Sequence, residues 1–298
     1  MVGATLAVVV PTAGANAAAV PAVQAARAAA KPPTGITAKS TYLFDSTTGK
    51  ALWSRKPDTK LQIGSMTKVM AALVVLKAGH LDRQITITQK YADYVKKYGA
   101  SQAYLAVGDK LTVRQLLNAM LIQSGCDAAY ALADSYGPGW LPFLNKMNAQ
   151  AKTLGMKNTH YSSFDGLPWP SATSAWSTAR DQVTLARTAM KNATFRSIVA
   201  TPTYTLKKTA GGHSYTWKTS NRLLGKYPGM LGIKTGTTNA AGYCYLFAAR
   251  RNSHTVIGVV LSSPSLTARF TDAAKMLDWA FHTHTTVQLR PASRFAMA

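Results

Sequence analysis

The apolar positions of this chain fall into zones with different periodicity. Near the start, the segments 41–45 and 51–53 are rich in β-branched and aromatic residues and flank a polar turn that ends at Gly49. This pattern predicts a β-hairpin. Similar runs return only near the end of the chain, at 203–206, 233–235, 242–248 and 255–261. We expect each of these late runs to form a strand.

Between the strand zones, the spacing of apolar residues is mostly helical. The segment 69–76 is apolar on nearly all faces and is followed by Gly79, which predicts a buried helix that ends at this glycine. Another helix is expected to open with Ser177 or Thr178 as its N-cap and to run to Met190. Further helices are predicted over 112–121, 127–134 and 267–282.

Strand-rich ends around a helical middle predict an α/β fold with an all-α part. We expect an antiparallel β-sheet flanked by helices, with an inserted helical subdomain, because the βαβ alternation of parallel sheets is absent. The expected divisions are a signal peptide at 1–17, an Ala- and Pro-rich linker at 18–36, a sheet-containing subdomain formed by 37–82 and 203–284, a helical subdomain at 83–202 and a C-terminal tail at 285–298.

The first residues of the chain indicate export. Residues 2–10 are almost all apolar, and Ala15-Asn16-Ala17 is a small-x-small cleavage site. The apolar run is too short for a membrane span, and no later stretch approaches the roughly 20 apolar residues that a spanning helix needs. We expect an exported, extracytoplasmic protein that is soluble or wall-associated, with no transmembrane span in its mature form.

The charge of the chain narrows the range of partners. Its 298 residues include 34 Lys and Arg against 11 acidic residues, a formal charge of +23, which favours a polyanionic partner. The basic residues are scattered and form no nucleic-acid-binding motif, so we expect an anionic cell wall rather than nucleic acid. Every acidic residue is Asp. The absence of Glu leaves few carboxylates for a metal cage, and we expect neither a metal nor another cofactor.

Three short motifs follow one another along the chain: Ser65-Met66-Thr67-Lys68, Ser124-Gly125-Cys126 and Lys234-Thr235-Gly236. A serine hydroxyl becomes a good nucleophile beside a base, and residues three apart share a helix face, so Lys68 can hold its amine near Ser65. Burial and the second cation Lys234 favour the neutral amine that this base requires. A cation and threonine hydroxyls on a strand can also bind a carboxylate, and a peptide can pair along the strand edge.

Each motif alone is common, and the three in this order are specific. Together they resemble the low-molecular-weight penicillin-binding proteins, the D-alanyl-D-alanine carboxypeptidase and transpeptidase family of the serine β-lactamase-like superfamily. The resemblance covers about 39–281 and includes the runs 124–129, 165–168, 177–181, 227–236 and 241–243. It implies release of D-alanine from peptidoglycan stem peptides that end in D-alanyl-D-alanine, with transfer to water or an amine. It also implies covalent inhibition by β-lactams.

The resemblance assigns roles to individual residues. Ser65 would be the acylated nucleophile and Lys68 its base. Ser124 would relay a proton to the leaving group, and Lys234 would orient Ser124. The backbone N–H groups of Ser65 and Thr237 would form the oxyanion hole. The implied substrate-binding residues are Cys126, Thr235, Gly236, Thr237 and Arg269. The threonine hydroxyls and the guanidinium in this set would receive the terminal carboxylate of D-alanine.

Cys126 departs from the pattern of the family, which usually has Asn there. A thiol forms weaker hydrogen bonds than an amide, so the balance between carboxypeptidase and transpeptidase activity stays open. We expect Cys126 to be a partly exposed thiol near two lysines, with a lowered pKa and some reactivity. It could instead pair with Cys244, as cysteines of exported proteins often do, but free thiols are favoured.

Other classes of protein fit the sequence less well. A class A β-lactamase shares the motifs but relies on a Glu for deacylation, and this chain has none. A Ser-His-Asp hydrolase needs a Gly-x-Ser-x-Gly elbow, which is also missing. A non-catalytic or weakly active wall-binding module with the same fold stays open because of Cys126 and the basic charge.

Overall fold

The computed structural model of the protein describes residues 31–208 and 212–288. The predicted signal peptide and the predicted linker up to residue 30 lie outside the described residues, as does most of the predicted tail. The strands in these residues are β1 (Ser40–Asp45), β2 (Lys50–Arg55), β3 (Gln84–Thr86), β4 (Lys110–Thr112), β5 (Thr203–Leu206), β6 (Tyr215–Lys218), β7 (Met230–Thr238), β8 (Gly242–Arg251) and β9 (His254–Ser263).

A 3₁₀ turn at Gly64–Thr67 precedes the first α-helix. The α-helices of the described residues are α1 (Lys68–Ala78), α2 (Gln89–Tyr98), α3 (Val113–Leu121), α4 (Cys126–Tyr136), α5 (Trp140–Thr153), α6 (Ala179–Ala189), α7 (Ala193–Val199) and α8 (Leu266–Gln288). The N-cap predicted for α6 is confirmed, because the Thr178 hydroxyl accepts a hydrogen bond from the Asp181 N–H at 3.1 Å.

The centre of the fold is a five-stranded antiparallel sheet with the order β2-β1-β9-β8-β7. In β8, Leu246 and Ala248 face one apolar cluster, and Tyr245 and Phe247 face another. Both faces of the sheet are therefore covered, which explains why this strand is almost continuously apolar. The predicted sheet, its antiparallel order and the hairpin of β1 with β2 are confirmed.

Helices cover the sheet on both sides. On one face, Phe270 and Leu277 of α8 pack in the same cluster as Tyr245 and Phe247. On the other face, α6 contacts β1 and β9, and α1 lies beneath α6 among α3, α4 and α5. As predicted, α1 is buried along most of its length and ends at Gly79. The sheet thus provides one fixed edge, β7, beside the start of a buried helix.

Several elements differ from the sequence-based prediction. Among the residues that the structure describes, β5 and β6 pair with each other outside the main sheet, and β3 and β4 form a small sheet within the predicted helical region. The helix α8 continues to Gln288 instead of ending at residue 282, because no glycine or proline interrupts this part of the sequence. The subdomain limits at 83 and 202 stay predictions.

Asp45 joins the end of β1 to the turn that follows and to β9. Its buried carboxylate accepts hydrogen bonds from the Thr47 N–H and the Thr48 hydroxyl, both at 2.8 Å, and lies 2.9 Å from the His254 Nδ1. Burial acts to raise the pKa of Asp45, but the hydrogen bonds from His254, Thr48 and Thr47 outweigh it and lower the pKa below its ordinary 3.8. The ionised carboxylate therefore stabilises the folded state.

We expect Asp45→Asn to lower the free energy of unfolding at neutral pH by about 1–3 kcal/mol, because charged hydrogen bonds are lost. A lowered pKa contributes stability above the unfolded-state value, and this contribution is lost as the pH falls through the folded-state value. Urea unfolding at several pH values should show that the free energies of unfolding of the wild-type protein and of Asp45→Asn converge below about pH 4. The exposed Asp82→Asn is the control, and an unfolding difference that stays constant with pH would contradict this explanation.

Candidate active site

Ser65 and Lys68 lie at the junction of two helical segments. Ser65 belongs to the 3₁₀ turn, and α1 begins at Lys68. Side chains three apart eclipse one another in a 3₁₀ turn, and the Lys68 Nζ lies 2.8 Å from the Ser65 Oγ. Lys68 is fully buried and Ser65 is half-buried. The hydroxyl therefore stays accessible while the amine beside it is shielded from solvent.

The amine of Lys68 is surrounded by uncharged acceptors. Besides the Ser65 hydroxyl, it lies 3.3 Å from the Cys126 Sγ, 3.5 Å from the Ser124 Oγ and 3.1 Å from the backbone carbonyl oxygen of Asp165. All four of these contacts are to atoms without a formal charge, and one of them is the hydroxyl from which a base would take a proton.

Asp165 presents its main chain to Lys68 and its carboxylate to other groups. The carboxylate accepts hydrogen bonds from the Tyr94 hydroxyl at 2.9 Å and from the Leu167 N–H at 3.0 Å. These bonds hold the loop that carries the carbonyl oxygen. Sequence reasoning recognised this loop as a family motif but missed Asp165 and Tyr94 as site residues, because a role played by a carbonyl leaves no side-chain signature.

The loop before α4 holds Ser124 in an uncommon conformation. Ser124 has φ +69°, a left-handed conformation that costs roughly 1–2 kcal/mol for a residue other than glycine. The Ser101 hydroxyl donates to the Ser124 carbonyl at 2.6 Å, and the Cys126 N–H donates to the Ser101 carbonyl at 2.8 Å. The buried Asp127 carboxylate accepts from the Ala103 N–H at 2.9 Å. These bonds keep the Ser124 hydroxyl near Lys68 despite the strain.

Three glycines let the main chain close around the 3₁₀ turn. A Cβ on Gly236 would overlap the carbonyl oxygen of Ile63, and a Cβ on Gly166 would overlap that of Gly64. Gly64 has φ +53°, and a Cβ there would lie 2.9 Å from the Thr237 nitrogen. No side chain fits in these gaps. Gly236, which the family resemblance implies in substrate binding, therefore has a structural reason to be glycine.

The strand β7 lies beside the 3₁₀ turn and carries the third motif. Lys234 is buried and donates a hydrogen bond to the Thr235 carbonyl at 3.3 Å. The Thr235 Oγ1 lies 2.6 Å from the Ser220 Oγ, a partner that the sequence did not indicate. Thr237 is exposed at the end of the motif. Of the side chains of Lys234, Thr235 and Thr237 on this strand, that of Thr237 is thus the most open to a ligand.

Arg269 reaches the same strand from α8. It is 3% exposed, and its Nη1 donates to the Thr237 Oγ1 at 2.9 Å and to the carbonyl oxygens of Gly236 and Cys244, both at 3.3 Å. The guanidinium therefore anchors β7 and fixes the Thr237 hydroxyl. Direct contact of Arg269 with a substrate carboxylate stays a prediction.

Three basic side chains, those of Lys68, Lys234 and Arg269, are buried around the site. Burial, followed by repulsion from the protonated form of Lys68 and from Arg269, lowers the pKa of Lys234 well below its ordinary 10.5. The structure does not place Lys234 in the hydrogen-bond set of Lys68, and the connection between the two amines is electrostatic. Three buried basic groups around an open strand edge favour a ligand with a negatively charged end.

The expectation for Cys126 is wrong in two respects. The side chain is 1% exposed, and burial, together with Asp165, raises the pKa of the Cys126 thiol to about 12 against the lowering effect of Lys68. Burial outweighs the nearby amine, which makes a thiol inert rather than reactive. Both Cys126 and Cys244 are free and buried, as favoured from the sequence.

Across the described ranges 31–208 and 212–288, no group of three or more His, Cys or Asp side chains is arranged to hold a metal ion. In the same part of the chain, no helix combines the length and apolarity needed to cross a membrane.

Comparisons with known proteins identify the family to which this chain belongs. A family model described as D-alanyl-D-alanine carboxypeptidase matches residues 25–265. A D-alanyl-D-alanine carboxypeptidase of Streptomyces sp. (strain K15) is 45% identical over 258 residues, which cover 83% of this chain and 88% of that protein. The D-alanyl-D-alanine carboxypeptidase DacF of Bacillus subtilis (strain 168) is 32% identical over 252 residues, which cover 84% of this chain and 63% of that protein. The chain belongs to the D-alanyl-D-alanine carboxypeptidase family of serine peptidases.

Solved structures agree with this assignment. The crystal structure of the Streptomyces K15 DD-transpeptidase has a TM-score of 0.81 and 46% sequence identity, and the match covers 85% of this chain and 100% of that one. The crystal structure of a D-alanyl-D-alanine carboxypeptidase from Mycobacterium tuberculosis H37Rv has a TM-score of 0.78 and 31% sequence identity. That match covers 86% of this chain and 95% of the other. The penicillin-binding fold that the resemblance implied is confirmed.

We expect Cys126 to resist alkylation in the folded protein, because a buried thiol with a raised pKa supplies almost no thiolate at neutral pH. Intact-protein mass spectrometry after iodoacetamide should show no label on the native protein and two labels after unfolding in urea, one for each cysteine. Fast single labelling of native protein that is lost in Cys126→Ala would show that this burial is wrong.

Proposed function

We propose that the protein is a serine D-alanyl-D-alanine peptidase that acts on peptidoglycan stem peptides through an acyl-enzyme on Ser65. The observation that carries this proposal is the 2.8 Å contact between the Ser65 Oγ and the Lys68 Nζ among uncharged acceptors. This contact supplies a nucleophile beside a base. Membership of the family supplies the class of substrate.

In the proposed first step, the Ser65 oxygen attacks the carbonyl carbon of the D-alanyl-D-alanine peptide bond while its proton passes to the amine of Lys68, which acts as the base. The oxyanion accepts hydrogen bonds from the N–H groups of Ser65 and Thr237, an assignment supported by the close approach of Gly64 to the Thr237 nitrogen. The carbon–nitrogen bond then breaks, and the leaving nitrogen of D-alanine takes the proton through Ser124. An ester on Ser65 remains.

The positive end of the site is proposed to bind the terminal carboxylate of the substrate. The exposed Thr237 hydroxyl can donate a hydrogen bond to it, with the guanidinium of Arg269 holding that hydroxyl. Thr235 contributes from the same strand. An extended peptide lying along β7, the end strand of the sheet, would bring its last peptide bond towards Ser65.

The ester is proposed to pass to water, which gives carboxypeptidase activity, or to the amine of a second stem peptide, which gives transpeptidase activity. The second route is supported by the 46% identity with the Streptomyces K15 DD-transpeptidase. It is also supported by Cys126, a buried thiol that offers weaker hydrogen bonds than an amide at this position. The balance between the two activities then depends on how readily water and the amine each reach the ester on Ser65.

We also propose that β-lactams acylate Ser65, because attack on the ring amide opens the ring without releasing a leaving group. The same amide chemistry then traps the enzyme as a stable ester. The proposed setting is extracytoplasmic, at an anionic cell wall, as the small-x-small site at 15–17 and the charge of +23 support.

We expect Ser65→Ala to lower the rate of D-alanine release from diacetyl-L-lysyl-D-alanyl-D-alanine by about 10³-fold or more, because the nucleophile is lost. Lys68→Arg should cause a comparable loss, because a guanidinium stays protonated in proteins and cannot accept the proton of Ser65. Free D-alanine, measured over time at saturating peptide, provides the readout.

Matched controls come from exposed residues of the same types. Ser197→Ala in α7 and Lys77→Arg at the end of α1 change exposed side chains and should keep the wild-type rate. Full activity of Ser65→Ala would contradict the proposed mechanism. A folded wild-type protein that releases no D-alanine would instead favour the non-catalytic wall-binding module, an alternative that the family match and the Ser65–Lys68 geometry do not favour.

A further inference from the structure

An aromatic cleft lies outside the catalytic residues. We use this name for a cavity of about 370 Å³ between α2, α4, the start of α5 and the loop after α5, lined by six aromatic side chains: Tyr94, Tyr98, Tyr130, Trp140, Phe164 and Trp169. Ligand sites for small molecules have volumes of about 300–1,000 Å³ and are lined mainly by apolar and aromatic groups with a few polar ones. The cleft therefore has the size and composition of a ligand site.

The rings at the rim of the aromatic cleft face solvent. Tyr98 and Trp169 are each 40% exposed. Tyr98 packs against Tyr94 with 5.0 Å between ring centroids, and Trp169 packs edge-on against Trp140 at 5.3 Å. These contacts fix the planes of the exposed rings. Two partly exposed aromatic rings with fixed planes in the lining of one cavity are suited to stacking against the apolar face of a ligand.

The aromatic cleft is electrically balanced, although the whole chain carries +23. Its charged lining residues are Lys90, Lys97 and Asp93, and Lys90 forms a 2.6 Å ion pair with Asp134. The lining therefore carries two cations and one carboxylate, and a second carboxylate, Asp134, pairs with one of the cations. Such a cleft does not select a polyanion. It suits a neutral ligand with an apolar face and polar edges, because the rings can stack and the rim can form hydrogen bonds.

The aromatic cleft shares a wall with the catalytic site. Phe164 lines it and immediately precedes Asp165, whose carbonyl oxygen contacts the Lys68 amine at 3.1 Å. Tyr94 also lines it and donates to the Asp165 carboxylate at 2.9 Å. The cavity therefore lies next to the loop that contacts the Lys68 amine.

We propose that the aromatic cleft binds a pyranose ring, namely an N-acetylated hexosamine of the glycan to which the stem peptide is attached. The C–H face of a sugar ring is apolar and stacks on aromatic planes, and its hydroxyl and amide groups can bond to the lysines and Asp93 at the rim. The inference rests on the proposed function for the identity of the substrate. It adds a second, sugar-binding part to the site.

The test compares two substrates: a disaccharide-pentapeptide and the same pentapeptide without sugar. The wild-type protein should show a higher kcat/KM for the glycosylated substrate. Trp169→Ala and, independently, Tyr98→Ala should reduce this preference by about fivefold to tenfold, the effect of one or two stacking contacts. Both variants should keep wild-type kcat/KM on the free pentapeptide, which also shows that they are folded. Trp53→Ala, on β2, is the control and should leave the preference unchanged.

A binding measurement separates this inference from the catalytic proposal. Peptide-free glycan strands are titrated into Ser65→Ala while tryptophan fluorescence is recorded, because Trp140 and Trp169 both line the aromatic cleft. A saturable change that is lost in Trp169→Ala supports the inference even if no variant releases D-alanine. Equal kcat/KM for both substrates with no response to glycan overturns it while leaving the peptidase intact. A response to poly(glycerol phosphate) but not to glycan overturns it too.

Discussion

The buried amine of Lys68 is the constraint on which the rest of the structure depends. Burial removes the water that would otherwise form hydrogen bonds with this amine, so the protein has to supply other partners. Here they come from separate parts of the chain: the preceding 3₁₀ turn, the loop before α4, the first residue of α4 and the carbonyl oxygen of Asp165. The fold can be understood as the frame that brings these groups to one amine.

That frame depends on close main-chain packing rather than on large side chains. Gly64, Gly166 and Gly236 allow a strand edge and a loop to approach the turn that holds Ser65. The sheet makes the strand edge rigid because both of its faces are covered by helices. The same compact region places Asp165 between Lys68 and the aromatic cleft, so peptide chemistry and the proposed sugar contact share one wall.

The sequence alone was sufficient for the motif residues and the main sheet. Ser65 and Lys68 could be paired because their spacing fixes a shared helical face, and β8 and β9 were recognisable as strands from their apolar residues. The contribution of Asp165 was hidden because a carbonyl group belongs to every residue. The burial of Cys126 was also hidden, since it is created by packing of α2 and the loop around Ser101 rather than by its neighbours in sequence. Local periodicity likewise did not show that β5 and β6 pair apart from the sheet.

The most direct test of the central claim is to locate the acyl group. Purified residues 36–298 are incubated with benzylpenicillin, and intact-protein mass spectrometry is followed by peptide mapping, beside Ser65→Ala and Cys126→Ala. The account predicts one adduct with the full mass of the drug on the peptide that contains Ser65, absent in Ser65→Ala and kept in Cys126→Ala. An adduct on Cys126, or no adduct on folded wild-type protein, would contradict it.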